Sequence, residues 1–305
     1  MPKTWLLNLR SEIKKQVYSN KLVGFLLRPL ILVDRKIQIK LLKPKNEVCQ
    51  LLSNILVNDP VLHVKEFNGD FLIDKRSTLL SRILVKGSYE PKLAKLALQY
   101  TDTSKDVIDI GSNIGFYSVL LAKHIDKTRK VLSIEPTLNA LEKLRKNLEL
   151  NEISDKVIIY DGVISNESGE VEINTILGKE EYSSVNLIVH SAVATSSYVA
   201  YKVKCTTLDT IVDLHNLNPG FVKIDVEGAE HLVLDGARNT LSRYRPIILT
   251  EVSEKLLSSG NFSVEKMLNL IKSYGYDIFD PSFSQEMINP HLCKQIICIP
   301  SNTNK

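Results

Sequence analysis

Hydrophobic positions along this chain fall into two alternating patterns. Val107, Ile108 and Ile110 form a short β-branched run, and VLSI before Glu135, KVIIY (156–160), Phe221–Ile224, PIILTEV, YDIFD and KQIICIP are runs of the same kind. Such runs predict strands buried on both faces. Between them the apolar spacing becomes helical: Ile114, Tyr117, Leu120 and Leu121; then Leu138, Leu141, Leu144 and Leu148, ending near Asn151; then Val264 to Tyr274, stopped by Gly275. Ala229, Leu232, Val233 and Leu241 are expected on one helix after Glu227-Gly228. Strand, turn and helix in succession predict βαβ units, and hence an α/β chain with a mostly parallel sheet.

Upstream the pattern differs. VLHVKEFNGDFLIDK predicts two strands around an Asn68-Gly69 turn, followed by a helix from Thr78 to Lys86. Gly87-Ser88-Tyr89-Glu90-Pro91 breaks the chain before a helix from about Lys92 to Tyr100. Residues 164–220 are too long for a plain βα connection. Asn166–Gly169 is a turn, GEVEINTIL and YKVKCTTL are strands, and Thr206 to Leu214 is a helix start and short helix. A hairpin or cover is expected there, with Tyr182-Ser183-Ser184 as a polar segment able to reach an acceptor. The expected organisation is an apolar, basic helical extension over 1–60, a hairpin and entry segment over 61–101, and a main domain over 102–300 with its insert at 164–220.

Charge separates the N-terminus from the rest. The 305 residues are 44% hydrophobic and 24% charged with net charge +4, yet residues 1–45 hold eleven Lys or Arg against two acids, leaving 28 basic against 33 acidic residues elsewhere. Trp5, Leu9, Ile13 and Val17 recur every fourth residue among Lys3, Arg10, Lys14 and Lys15, as in a basic amphipathic helix. Core packing is the expected use of that face, with peripheral membrane contact as the alternative. LVGFLLRPLILV (22–33) is too short to span a bilayer and contains Arg28 and Pro29, and no signal peptide is expected. Cys49, Cys205, Cys293 and Cys298 have neither C-x-x-C nor framework spacing, which fits reduced thiols in a cytoplasm and predicts no disulfide or metal from them. Nothing in the sequence sets an oligomeric state.

The candidate chemistry starts at Asp106–Gly115. Glycine turns let a backbone approach a ligand, and the helix N-terminus beyond offers N–H donors. The spacing is not the dinucleotide G-x-G-x-x-G, which counts against a nicotinamide oxidoreductase. Instead Asp109-Ile110-Gly111-Ser112-Asn113-Ile114-Gly115, with Glu135 at the next strand's end, resembles the S-adenosylmethionine site of a class I methyltransferase. In that reading the glycines make room for the methionine portion and Glu135 accepts the ribose hydroxyls. Asp161, Gly162 and Val163, at the third strand's tip, lie where adenine would sit.

FVKIDVEGAEHLVLDGARNTL is the second informative stretch. Alternation along a strand puts Lys223 and Asp225 on one face, with Glu227 in the following turn. Three charged residues on an otherwise apolar central segment point to catalysis or substrate binding, at the carboxyl ends where open α/β sheets bind ligands. The opposing possibility is a structural ion pair. Together with DVIDIGSNIGFYSVLLA, IEPTLNALEKLRKNLELN, TTLDTIV and the upstream GSYEP, this segment resembles the FkbM family of S-adenosylmethionine-dependent methyltransferases over about residues 67–252.

The resemblance implies a class I, Rossmann-like, seven-stranded, mostly parallel sheet and methyl transfer to a hydroxyl of a sugar, glycan or secondary metabolite. It places the cofactor on Asp109, Gly111, Asn113, Gly115 and Glu135, with Ser112 where alanine is common, and the reaction face on Lys223, Asp225, Glu227 and Glu251. Asp225 is the expected general base with Lys223 as its orienter; His231, on the helix face of Glu227, is the competitor. A hard divalent ion on Asp225, Glu227 and Glu251 is an alternative and not the expectation. N-methylation of a small molecule or nucleic acid, or a cofactor-binding module without catalysis, are the other readings. A small-molecule or carbohydrate acceptor is expected and a nucleic-acid partner is not. Asp280-Pro281-Ser282-Phe283 is only faintly similar to the D-P-P-Y loop of nucleic-acid N-methyltransferases: it follows the wrong strand and lacks the second proline.

Overall fold

The structure is a computed structural model and describes residues 56–176, 178, 182–183, 198–281 and 295–301. The expected N-terminal amphipathic helix, the 22–33 stretch, Cys49, Ser184, Ser282-Phe283 and Cys293 lie outside the described residues. Among the described residues no helix is long and apolar enough to cross a membrane. The described residues fall into two compact units, divided between Tyr89 and Glu90.

In the first unit, β1 (Val61–Val64) and β2 (Gly69–Leu72) pair antiparallel with Val64 opposite Gly69. The connection is longer than the two-residue Asn68-Gly69 turn expected. Lys65–Phe67 is a 3₁₀ turn, Asn68 is left-handed at φ 47°, and Gly69 already belongs to the strand. Asparagine tolerates that conformation better than most residues, so it ends the loop. Phe67 and Phe71 meet edge to face at 6.5 Å, both fully buried. Helix α1 (Thr78–Lys86) is capped by Ser77, whose side chain accepts from the Leu79 N–H, and ends at Gly87, φ 68°.

The second unit runs α2 (Pro91–Tyr100), β3 (Asp106–Ile110), α3 (Phe116–His124), β4 (Val131–Ile134), α4 (Leu138–Leu150), β5 (Val157–Tyr160), β6 (Val163–Ile164), β7 (Gly169–Thr175), β8 (Val199–Thr206), α5 (Leu208–Leu214), β9 (Pro219–Ile224), α6 (Glu230–Asp235), α7 (Arg238–Tyr244), β10 (Ile247–Glu251), α8 (Glu254–Ser259), α9 (Val264–Ser273), β11 (Tyr276–Phe279) and β12 (Gln295–Pro300). Seven strands form one sheet in the order β11-β12-β10-β9-β3-β4-β5, parallel except for β12, which runs antiparallel to both neighbours. This is the mostly parallel seven-stranded sheet that the resemblance implied. The insert contributes β7 and β8 as an antiparallel pair, with β6 beside β8, in a separate small sheet.

Chain order reverses between β3 and β9, which makes their carboxyl ends the switch point where such sheets open a crevice. Ile108, Ile110, Val222 and Ile224 fill the sheet beneath it, and α3 is buried from Phe116 through Ala122.

Two helix expectations need correction. Leu138 is 73% exposed while Leu141, Leu144 and Leu148 are buried: it is the first residue of α4, before the helix has settled onto the sheet. The single helix expected from Ala229 to Leu241 is two, α6 and α7, separated at Gly236-Ala237. A Cβ on Gly236 would lie 2.0 Å from the Ser165 carbonyl oxygen, so a neighbouring loop presses on the chain at the break.

Candidate active site

The glycine turn is held by the protein itself. Gly111 and Gly115 have φ +77° and +90°, which favours glycine at both. A Cβ on Gly111 would sit 1.9 Å from the Asp225 carbonyl oxygen, and one on Gly115 would sit 2.5 Å from Leu144 Cδ1. At these two positions the missing side chains allow close packing by the Asp225 carbonyl and by α4. The Gly111 and Ser112 N–H groups both donate to the Ile134 carbonyl at 3.0 Å, and the Asp225 N–H donates to the Ile110 carbonyl at 3.0 Å.

Glu135 completes this frame. Its Oε2 accepts the Asn113 N–H at 2.8 Å, with Asn113 left-handed at φ 49°. Its Oε1 accepts the Thr137 N–H at 2.9 Å and the Thr137 hydroxyl at 2.6 Å. The carboxylate at the end of β4 therefore ties the glycine turn to the start of α4.

Asp109 lies beneath the crevice, fully enclosed. Its Oδ2 accepts from the Ser118 hydroxyl at 2.6 Å, and Ser118 accepts from Ser133 at 2.7 Å; Oδ1 has no partner among the described residues. Burial pushes its carboxyl above the usual range, against the pull of Lys223 and Ser118. Asp161 is instead half exposed and pairs with Lys204 at 2.5 Å. A Cβ on Gly162 would lie 2.6 Å from the Lys204 carbonyl oxygen, so this glycine serves the crossing of β8. Val163 is a residue of β6.

Across the switch point the arrangement changes. Lys223 Nζ donates to Asp225 Oδ2 at 3.0 Å, with the lysine side chain 8% exposed and the aspartate 30%. Burial alone would lower this ammonium, but the Asp225, Asp109 and Glu90 carboxylates outweigh it and hold it above its ordinary value. Glu227 and Gly228 are both left-handed, at φ 53° and 107°. Asp225, Glu227 and Glu251 each bring a carboxylate oxygen within 4.8 Å of the others, a spacing that could hold a hard divalent ion.

Glu251 is the most perturbed member. Burial first, then the charges of Asp225, Glu227 and Glu230, push it up to about 10, and it is hydrogen-bonded to Asp225. This environment favours its protonated form, in which it donates to Asp225.

Two supporting residues escaped the sequence reading. Glu230 is buried, and its Oε1 accepts the Val226 N–H at 3.3 Å and the Gly228 N–H at 3.2 Å, which fixes the turn carrying Glu227. Burial pushes it up to about 7. Its signal was available as an acid in the first turn of a helix directly after a glycine turn. Ser118 has no comparable signal, because serine in a helix gives no hint of a carboxylate beneath it. His231 is not on a helix face with Glu227, which precedes α6 in a turn; its ring stacks on Phe262 at 4.2 Å, and burial lowers its titration.

Comparison with known proteins places this geometry. No curated protein sequence matches the chain significantly. Among solved structures it resembles methyltransferase FkbM from Methylobacillus flagellatus KT, at 14% identity and TM-score 0.45 over 83% of this chain and 58% of that one. This chain therefore spans under two thirds of that relative's length. It also resembles precorrin-6y C5,15-methyltransferase from Geobacter metallireducens GS-15, at 12% identity and TM-score 0.39 over 70% of this chain and 89% of that one. A third is an O-methyltransferase from Bacillus cereus in complex with SAH, at 12% identity and TM-score 0.36 over 95% of this chain and all of that one. The family described as the Methyltransferase FkbM domain matches residues 109–278, more than half of the chain, which therefore belongs to the FkbM methyltransferase family.

Proposed function

We propose that this protein is an S-adenosylmethionine-dependent methyltransferase that methylates a hydroxyl of a sugar, glycan or secondary metabolite. The observation that carries the reading is the pair of buried Lys223 with partly exposed Asp225 at the carboxyl end of β9, beside the glycine turn of β3 in a chain of this family. The charges suit the cofactor. Asp225, Glu227 and Glu251 gather against one lysine, an environment that favours a cationic sulfonium. Leu138, exposed three residues after Glu135, offers apolar surface for a purine.

When bound, S-adenosylmethionine supplies an electrophilic methyl group on sulfur. The chain must then place a hydroxyl in line with it and remove the hydroxyl proton. Asp225 is the acceptor for that proton. Lys223 holds its Oδ2 and Glu251 donates to it, so the carboxylate is oriented before any acceptor arrives. A positioned general base typically contributes about 10²- to 10⁴-fold. A nucleic-acid acceptor is disfavoured because its phosphates would approach this carboxylate cluster.

The test has two parts. Calorimetry with S-adenosylmethionine and S-adenosylhomocysteine reads cofactor binding, and incubation of methyl-labelled cofactor with fractionated metabolites reads transfer. Binding of both, with label appearing as an alkali-stable methyl ether, is the expected result. Absence of binding sinks the cofactor assignment, and label on nitrogen or on nucleic acid sinks the hydroxyl assignment.

A further inference from the structure

Glu90 opens the second unit and lies outside the matched segment 109–278. It precedes α2 at the N-cap, where a carboxylate ordinarily accepts the helix's own free N–H groups. Here its side chain makes no cap bond, and its backbone is left-handed at φ 41°. A side chain withdrawn from its own helix, on strained backbone, is being used elsewhere.

Its Oε2 accepts the Tyr117 hydroxyl at 2.9 Å. The buried Tyr117 ring in turn carries the Lys223 ammonium on its face, 4.7 Å from the centroid, and Lys223 donates to Asp225. A phenol that donates to a carboxylate gains electron density in its ring, which strengthens its hold on a cation. Glu90, Tyr117, Lys223 and Asp225 thus form one chain of contacts running from α2 through α3 to the end of β9. The Glu90 charge also helps to keep Lys223 ionised despite burial.

We propose that Glu90 is a positioning residue of the transfer site: by accepting the Tyr117 hydroxyl it fixes the ring that seats Lys223, and through Lys223 it sets the orientation of Asp225. This rests on the methyl-transfer reading of the crevice. It extends the site to a residue upstream of the family match at 109–278. No contact between Glu90 and the cofactor is involved.

The experiment uses the full chain with ¹⁵N-labelled lysine side chains. The Lys223 ammonium signal, recognised by its loss in Lys223→Arg, is compared in wild type, Glu90→Gln, Glu90→Ala and Tyr117→Phe, with melting temperatures recorded alongside. Glu90→Ala and Tyr117→Phe should shift that signal and raise its hydrogen exchange about tenfold or more. Glu90→Gln should recover part of the loss, since its amide oxygen still accepts from Tyr117. Affinity for S-adenosylhomocysteine should stay within about threefold. An unchanged ammonium signal in Glu90→Ala, with a lower melting temperature, would confine Glu90 to helix stability and overturn the proposal. A fall in S-adenosylhomocysteine affinity beyond about tenfold would make Glu90 a cofactor contact and overturn it equally. If Glu90→Ala does not fold, Tyr117→Phe gives the same reading, with Glu90→Gln as the partly recovered case. The ammonium measurement is made without cofactor, so wild-type protein that fails to bind S-adenosylhomocysteine refutes the functional reading and leaves this comparison standing.

Discussion

At the ends of β3 and β4 a single carboxylate, Glu135, meets hydrogen-bond donors; at the ends of β9 and β10 three carboxylates meet one another. The first arrangement is satisfied within the protein. Backbone N–H groups and a threonine hydroxyl stabilise the charge, and the turn it supports is packed against β9 and α4. In the second arrangement Lys223 pairs with Asp225, and burial with the neighbouring carboxylates favours the protonated form of Glu251. Groups brought together against their own repulsion persist where the chemistry needs them, whereas a frame is built where every polar group can be paired. On the proposed methyl-transfer reading, the contrast assigns the proton-accepting groups to the ends of β9 and β10 and the supporting hydrogen bonds to the ends of β3 and β4.

The largest effect should come from the crowded side. Asp225→Asn keeps size and shape but removes the proton acceptor, so turnover at saturating cofactor should fall by about 10²-fold or more. Cofactor affinity should change much less, because the role proposed for Asp225 is to take the proton of the acceptor hydroxyl and not to hold the cofactor. Near-normal turnover in the variant would remove Asp225 from the mechanism. It would also break the contrast, since the crowding would then be structural.

On the satisfied side, Glu135→Ala should weaken S-adenosylmethionine and S-adenosylhomocysteine alike. A hydrogen bond to a charged group contributes roughly 1.5 to 3 kcal/mol, so a loss of about tenfold or more in affinity is expected by calorimetry. The melting temperature should fall too, because Asn113 and Thr137 lose their acceptor. Unchanged affinity with a lower melting temperature would make Glu135 a member of the frame alone.

This contrast also separates what was legible in the sequence from what was not. Strand runs and the alternation that pairs Lys223 with Asp225 are local patterns, and local patterns survive folding. The close approach of the Asp225 carbonyl to Gly111 comes from far along the chain and leaves no local signal. The ion pair of Asp161 with Lys204 is equally invisible locally, because Lys204 belongs to the insert. The proton on Glu251 depends on the pairing of β10 with β9, Thr250 opposite Ile224, which no spacing in the sequence records. Helix α8 went unread because six residues, EKLLSS, are too few to show a period.

The smallest expected effect is the most direct probe of the crowding. Glu251 ordinarily titrates near 4.5 and is held at about 10 here, chiefly by burial and then by its neighbouring carboxylates. A carboxyl raised on folding contributes stability that is complete below its unfolded value and is lost as pH climbs toward its folded one. The wild type should therefore lose stability progressively above about pH 4.5, with Glu230 adding to the loss as pH rises through about 7. Glu251→Gln keeps a donor toward Asp225 and removes the titration. Its melting temperature relative to wild type should rise steadily with pH, reaching a gain of about 2–4 °C for each kcal/mol relieved. A difference that stays flat between about pH 5 and pH 9 would sink the shared-proton account. A divalent ion on the three carboxylates would reverse the sign: with magnesium or manganese added, the wild type would gain stability as pH rises, and Glu251→Gln would abolish the gain.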